Sequence, residues 1–199
     1  MTGILYVISS SADHRIVNAL LLHIRDWEYG MGDSFALITT STTNSATDIK
    51  PTSPPLHSFT NNTWANRSIE AIESFHLALK HSNLYVVLDE EGIESQTCIL
   101  GHQAMVQDPE TRTWKRTERF QKSRVPWDEL YMTWCNIDVA NMDFEDFVRE
   151  RDTEGGGRGG DENEWFEYVN HSAEWKDLSE ANTKLRDAEL ERLRVAGLV

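Results

Sequence analysis

The 199-residue sequence holds two cysteines, Cys98 and Cys135. Two distant thiols build neither a disulfide framework nor a metal knuckle. Positive charge is also scarce: 19 Lys and Arg stand against 33 Asp and Glu, for a net charge of −14. Phosphate backbones and anionic membrane surfaces both require Lys/Arg patches, so neither nucleic acid nor membrane is expected as a partner. No window approaches the length of an apolar membrane span. The opening "MTGILYVISSSADHR" lacks a basic n-region, a long h-region and a cleavage site, which leads us to expect a cytoplasmic protein. The seven histidines form no H-x-H, H-E-x-x-H or Cys/His spacing, so no metal is expected. A G-x-S-x-G elbow is missing, and "TEGGGRGGDENE" has no Gly-Lys-Ser/Thr and follows no strand, so it is not a P-loop. No cofactor is expected.

What is present supports one acidic domain with a sizeable core, since 39% of residues are hydrophobic and 10% aromatic. "ILYVIS" (4–9) reads as a buried strand. Ser11 or Asp13 then caps an amphipathic helix over 13–27, with Ile16, Leu20, Ile24 and Trp27 on one side. "FALITT" (35–40) reads as a second strand. Residues 41–63 are rich in Ser, Thr, Asn and Pro without periodicity and read as a long mobile loop, either a lid or an insertion. A helix is expected over 64–81 and a β-meander over 84–125, with turns at Asp89–Gly92 and Asp108-Pro109. Pro126 suits the first turn of a short helix, and Asn141 or Asp143 the cap of another that carries Phe144, Phe147 and Val148. Residues 161–196 read as charged helix, with a capping box at Asp161 and Glu164 and a buried side of Trp165, Val169, Trp175, Leu178, Leu185 and Ala188. The fold expected is α+β: a small, mostly antiparallel sheet with packed helices and an added C-terminal helical segment. Its parts would be a domain over 1–154, a glycine linker at 155–160 and a helical segment at 161–199.

The stretch "CNIDVANMDFEDF" (135–147) carries the densest polar pattern. As a calcium loop it fails, because Asp138, Asn141 and Asp143 are spaced three and two apart and Met142 stands where a turn glycine is wanted. As a helix start it works, with a capping Asn141, carboxylates near the positive end of the helix dipole, and Phe144 and Phe147 docking. A polar site fed by Asn136, Asn141 and Asp143 is the alternative. Trp127, Tyr131 and Trp134, spaced four and three, form either a core stripe or the apolar wall of a pocket with those polar groups at its edge. His102 follows Gly101 at a strand end, a place that often borders a pocket. Ser9, Ser10 and Ser11 near Asp13 and His14 have the residue types of a nucleophile, base and orienter, and equally those of a capped helix start. "TRTWKRTERFQKSR" (111–124) is the one basic island, read as a solvated hairpin or a partner-facing strand.

Residues 84–150 resemble a family of uncharacterised small domains of bacteria and filamentous fungi. The matching features are "LYVVLDEEG", "RVPWDELY" and "WCNIDVANMDFEDF", the last resembling the pattern Asn-x-x-x-Ala-Asn-Met-Asp-Phe-Glu-Glu-Phe, with Asp146 in place of a Glu. The resemblance implies a genuine domain and carries no activity.

Two functions follow as expectations. The first is a cofactor-free enzyme or binder for a small apolar metabolite. It would use His102 and Asp143 as acid/base groups and Trp127, Tyr131, Trp134, Asn136 and Asn141 as the binding wall, for isomerisation, cyclisation or hydrolysis. The second is a non-enzymatic interaction module, with a homodimer through the C-terminal helix.

Overall fold

The computed structural model describes residues 2–30, 32–41, 49–150, 163–169 and 180–199. Strand β1 (Gly3–Val7) is buried at every position and leads through a serine-rich turn into helix α1 (His14–His23). The Asp13 side chain accepts from the backbone N–H groups of Arg15 and Ile16, which closes the first turn of α1. β2 (Phe35–Leu37) follows, and then α2 (Ile69–Leu79), capped by Ser68 through Ala71 N–H. β3 (Leu84–Leu88) is again wholly buried. Asp89 caps a short helix α3 (Glu90–Ser95), where the sequence predicts only a turn. β4 (Thr97–Gln107) and β5 (Trp114–Pro126) form a long hairpin that runs directly into α4 (Trp127–Asp138). A 3-10 turn at Phe144–Phe147 precedes β6 (Val148–Glu150), so Val148 belongs to a strand and not to the expected helix. β7 (Asn163–Tyr168) and α5 (Glu180–Val195) complete the described elements.

The fold is α+β, but the sheet is mixed and not mostly antiparallel. Its seven strands stand in the order β2-β1-β3-β4-β5-β7-β6. β1 pairs in parallel with both β2 and β3, and β5 pairs in parallel with β7; the other pairs are antiparallel. The reason is connectivity. A helix between two neighbouring strands returns the chain to the end from which it started, which makes the strands parallel. α1 performs that return from β1 to β2, and α2 from β2 to β3. Strands β1, β2, β3, β5 and β7 therefore all end on one edge, called here the carboxyl edge.

The two sheet faces are covered by different helices. Val17, Leu20, Leu21 and Ile24 of α1 join Trp127, Leu130 and Trp134 of α4 and Phe144 and Phe147 in one core with Leu5, Val7, Leu84, Val86 and Leu100. Ile72 of α2 lies in a second core with Ile4, Tyr6, Tyr85, Val87, Ile99 and Phe120 on the opposite face. Gly101 faces Tyr85 so closely that a Cβ there would sit 2.1 Å from the ring, so only glycine lets that ring lie flat in the second core. A third, smaller cluster of Leu22, Trp27 and Leu193 fastens α5 to the outside of α1.

The reading of 161–196 as helix is corrected at residues 163–168. This stretch, "NEWFEY", carries Trp165, Phe166 and Tyr168, aromatics that favour a strand, and it fills the place between β5 and β6. Residues 155–160, Asp161, Trp175 and Leu178 lie outside the described residues, and Leu185 and Ala188, expected on the buried side, are exposed on α5, which buries Leu193 instead. The helix expected over 13–27 is α1 followed by a turn in which Trp27 Nε1 donates back to Leu22 O at 2.7 Å. Trp64, expected inside the second helix, lies before it, edge-on to Tyr6 in the second core. In the long loop, Asn18 of α1 holds Leu56 by both its side-chain atoms, donating to Leu56 O and accepting from Leu56 N–H.

Candidate functional site

The residues singled out from sequence separate into distinct settings. Trp127 and Trp134 are buried in the first core, Trp134 against Phe35 with ring centroids 4.9 Å apart. Trp127 Nε1 donates to Thr97 O at 3.0 Å. Tyr131 is half-buried and packs on Trp134. Asn136 and Asn141 are brought together at the end of α4. The Asn136 amide donates to Met132 O, its carbonyl oxygen accepts from Asn141 Nδ2 at 2.8 Å, and its backbone C=O accepts from Asn141 N–H at 2.9 Å. Both amides thus serve the helix terminus, where Ala140 stands in the left-handed region at φ 54°. Asp143 caps the following 3-10 turn, in which the Asp146 carboxylate accepts from Asp143 N–H. His102 stacks on Phe144 at 5.4 Å, and its Nδ1 faces Gln121 Oε1 at 3.4 Å. Gln121 in turn donates to Glu145. Burial holds the His102 pKa below its ordinary value, which favours a neutral ring. His102 pairs with Leu84, the first residue of β3, so it lies away from the carboxyl edge. The structure therefore joins His102 to the turn of Asp143, while Trp127 and Trp134 contact other neighbours.

A second polar assembly, missed in the sequence, stands at the carboxyl edge. At β1 and β3 the chain crosses to opposite sides: α1 carries it from β1 to β2, and α2 carries it back past β1 to β3. In open α/β sheets, ligands bind in the crevice opened by such a reversal. Here the turn after β1 directs the backbone N–H groups of Ser10 and Ser11 and both their hydroxyls onto the Glu90 carboxylate, with Ser10 N–H at 2.9 Å. Ser9 Oγ accepts from Ser11 N–H and Ala12 N–H. The hydroxyls of Ser11 and Ser9 hold the Glu90 pKa down at about 2, so this carboxylate is charged. The serines bond Glu90, and Asp13 serves the helix cap, so Asp13 is not the orienter that the Ser–His–Asp reading requires.

Next to Glu90, Asp89 and Arg124 form a forked pair at 2.8 and 2.9 Å. Arg124 also reaches Glu91 at 3.0 Å. Burial pushes the Asp89 carboxyl up, but the Arg124 guanidinium and Gly92 N–H outweigh it and leave its pKa below the usual value. An open cleft of about 310 Å³ adjoins this pair, lined by Glu91, Thr97, Arg124, Pro126, Phe166 and Tyr168, with Ser95 and Glu167 at its rim. Tyr168 donates to Glu129 Oε2 at 2.9 Å and meets Thr133 Oγ1 at 3.0 Å, which fixes its ring on α4. The cleft thus joins an apolar wall to a pre-positioned guanidinium. No sequence spacing could have announced it, because its walls come from α3, β4, β5 and β7.

A third cluster is fully enclosed. Glu73 Oε1 accepts from Lys122 Nζ and from Tyr85 OH, both at 2.8 Å, between α2 and the sheet. His76 Nε2 donates to Ser82 O at 2.9 Å, which leaves Nδ1 to accept from Tyr6 OH at 3.3 Å. These groups satisfy one another within the core.

Among the described residues, no three His, Cys, Asp or Glu side chains converge as metal ligands would. No described helix is long and apolar enough to cross a membrane.

The profile of a family described as a domain of unknown function, DUF6924, matches residues 33–160, more than half of the chain. The chain belongs to this family. No curated protein and no solved structure matches it. In this DUF6924 chain the matched stretch holds Asp89, Glu90, Arg124 and all of 135–147, whereas Ser9–Ser11 and the β7 wall of the cleft lie outside it.

Proposed function

We propose that this DUF6924 protein binds a small organic ligand at the carboxyl edge of its sheet. The observation that carries the reading is the cleft beside the Asp89–Arg124 pair. Its volume falls within the range of small-molecule sites, roughly 300–1,000 Å³. Phe166, Pro126 and the Tyr168 ring suit an apolar body, in keeping with the apolar metabolite expected from sequence. Thr97, Ser95 and the guanidinium edge suit a few hydrogen-bonding groups. Arg124 is already balanced by Asp89 and Glu91, which favours a neutral, polar head over a multiply charged anion. The reading moves the binding wall from Trp127, Trp134, Asn136 and Asn141, whose side chains are engaged in the core and the α4 terminus, to residues with open space beside them. It assigns binding; acid/base turnover by His102 and Asp143 would require a ligand on another part of the molecule.

Fragment screening by protein NMR tests it. Binding fragments should shift the amides of Thr97, Arg124, Phe166 and Tyr168, and Arg124→Met should weaken them tenfold or more. Shifts that cluster instead at His102 and residues 141–147 would restore the first candidate set and remove this one.

A further inference from the structure

The β4–β5 hairpin outruns its neighbours. β3 pairs with β4 only as far as His102, and β7 pairs with β5 only from Phe120 onward. Beyond them, residues 104–119 form a two-stranded arm with Met105 opposite Arg116, Val106 opposite Lys115 and Gln107 opposite Trp114. The tip is well made: Asp108 accepts from the N–H groups of Glu110 and Thr111 and bonds Lys115 Nζ. Its large side chains nevertheless face water, with Trp114 63% and Val106 54% exposed. Among the described residues no strand pairs with the outer edges of this arm; a two-stranded ribbon is marginal in water, and one with exposed Trp, Met and Arg has the composition of a contact surface.

Charge identifies the partner. The arm has four basic and three acidic residues, against a chain total of −14. Lys115 is paired with Asp108, while among the described residues Arg112, Arg116 and Arg119 have no ion pair. At the opposite end of the same sheet, α3 presents Glu90, Glu91 and Glu94; Ser10 and Ser11 already hold Glu90 and Arg124 reaches Glu91, so Glu94 is the rim carboxylate left unbonded among the described residues. We propose that the arm of one molecule docks on the α3 rim of a second copy, and that copy's arm on the first. Arm and rim lie at opposite ends of one sheet, so two molecules side by side and head to tail make both contacts at once. That arrangement is a closed twofold dimer. Arg112, Arg116 and Arg119 then face the rim glutamates, and Trp114 supplies the aromatic anchor typical of interface centres. A nucleic-acid partner fits worse, because the chain as a whole carries a net charge of −14, which repels phosphate.

Sedimentation equilibrium tests the dimer. At about 0.1 mM, above the micromolar range of weak specific pairs, the chain should sediment at twice its mass. It should dissociate in about 1 M salt, where the Debye length is ~3 Å. Trp114→Ala, and separately Arg116→Glu with Arg119→Glu, should each raise the dissociation constant at least tenfold with an unchanged circular-dichroism spectrum. Glu94→Lys should weaken the dimer similarly, and mixing that chain with the Arg116→Glu/Arg119→Glu chain should recover part of the loss. A monomeric chain at 0.1 mM in low salt overturns the proposal. So does a dimer that the arm variants leave intact, which would place the contact elsewhere, for example on α5.

Discussion

His76 shows how one side chain ties pH to folding in this protein. It is 1% exposed, donates to Ser82 O and accepts from Tyr6 OH, all as a neutral ring. Burial lowers its pKa from 6.5 to about 4. The unfolded chain therefore binds this proton at higher pH than the folded one does, and stability falls as pH drops from 6.5 towards 4. At about 1.4 kcal/mol per unit, the full effect is about 3 kcal/mol. Urea unfolding at pH 7 and pH 4.5 should show this loss in the native chain, and a His76→Gln chain should show a correspondingly shallower pH dependence. Equal slopes for the two chains would mean that burial does not lower the His76 pKa in the fold. Helical spacing set His76 beside Phe75 as alternatives for the apolar stripe of the helix over 64–81, but its hydrogen-bond partners were not legible, because its environment is built from β1, α2 and the turn at Ser82. The Glu73–Lys122 pair was hidden in the same way: an acid on α2 and a lysine in a basic run look like two solvated charges until α2 closes over the sheet.

At the scale of elements, the most informative stretch is 135–147. Its Phe144 and Phe147 dock in the core as the spacing required, and Asp143 caps the turn they stand on. Asn141 acts backwards, closing the helix before it through Asn136, where the sequence suggested the start of the next. Asn141→Ala should remove that bond and, on the scale of helix-terminal side-chain bonds, cost about 0.5–2 kcal/mol. Thermal or urea unfolding would measure it; a loss of ligand binding with no change in stability would return Asn141 to a pocket role. Element type was readable where one signal ruled, as in the buried runs of β1 and β3 and the amphipathic α1. It was misread at 163–168, where isolated charged residues favoured a helix and the partner strands β5 and β6, distant in sequence, decided for a strand.

The whole molecule is closed by α5. Leu193 is fully buried with Leu22 and Trp27, Asn18 donates to Leu198 O at 2.8 Å, and Arg186 reaches Asp128, which also pairs with His23. Leu190 and Leu193 of the helix are thus packed within their own chain, whereas Leu185 and Val195 are exposed, so a homodimer through the C-terminal helix would have to use that exposed face. Leu193→Ala should lower stability by about 2–5 kcal/mol, the usual cost of truncating a buried leucine. If α5 instead holds two chains together, the same change would alter the sedimenting mass and leave the unfolding midpoint of the monomer in place.

The sequence by itself determined the α+β class, the long hairpin, the buried strands and a cap before Phe144, which it left open between Asn141 and Asp143. Each of these depends on neighbours within a few residues: alternation, capping and turn chemistry are local. Only the tertiary structure decided that the sheet is mixed, that α1 and α2 cover opposite faces, and that Ser10, Ser11, Glu90, Asp89, Arg124 and Tyr168 meet along one edge. Strand direction follows from which elements the chain crosses between pairings, and a site gathered from four separate segments leaves no spacing to read.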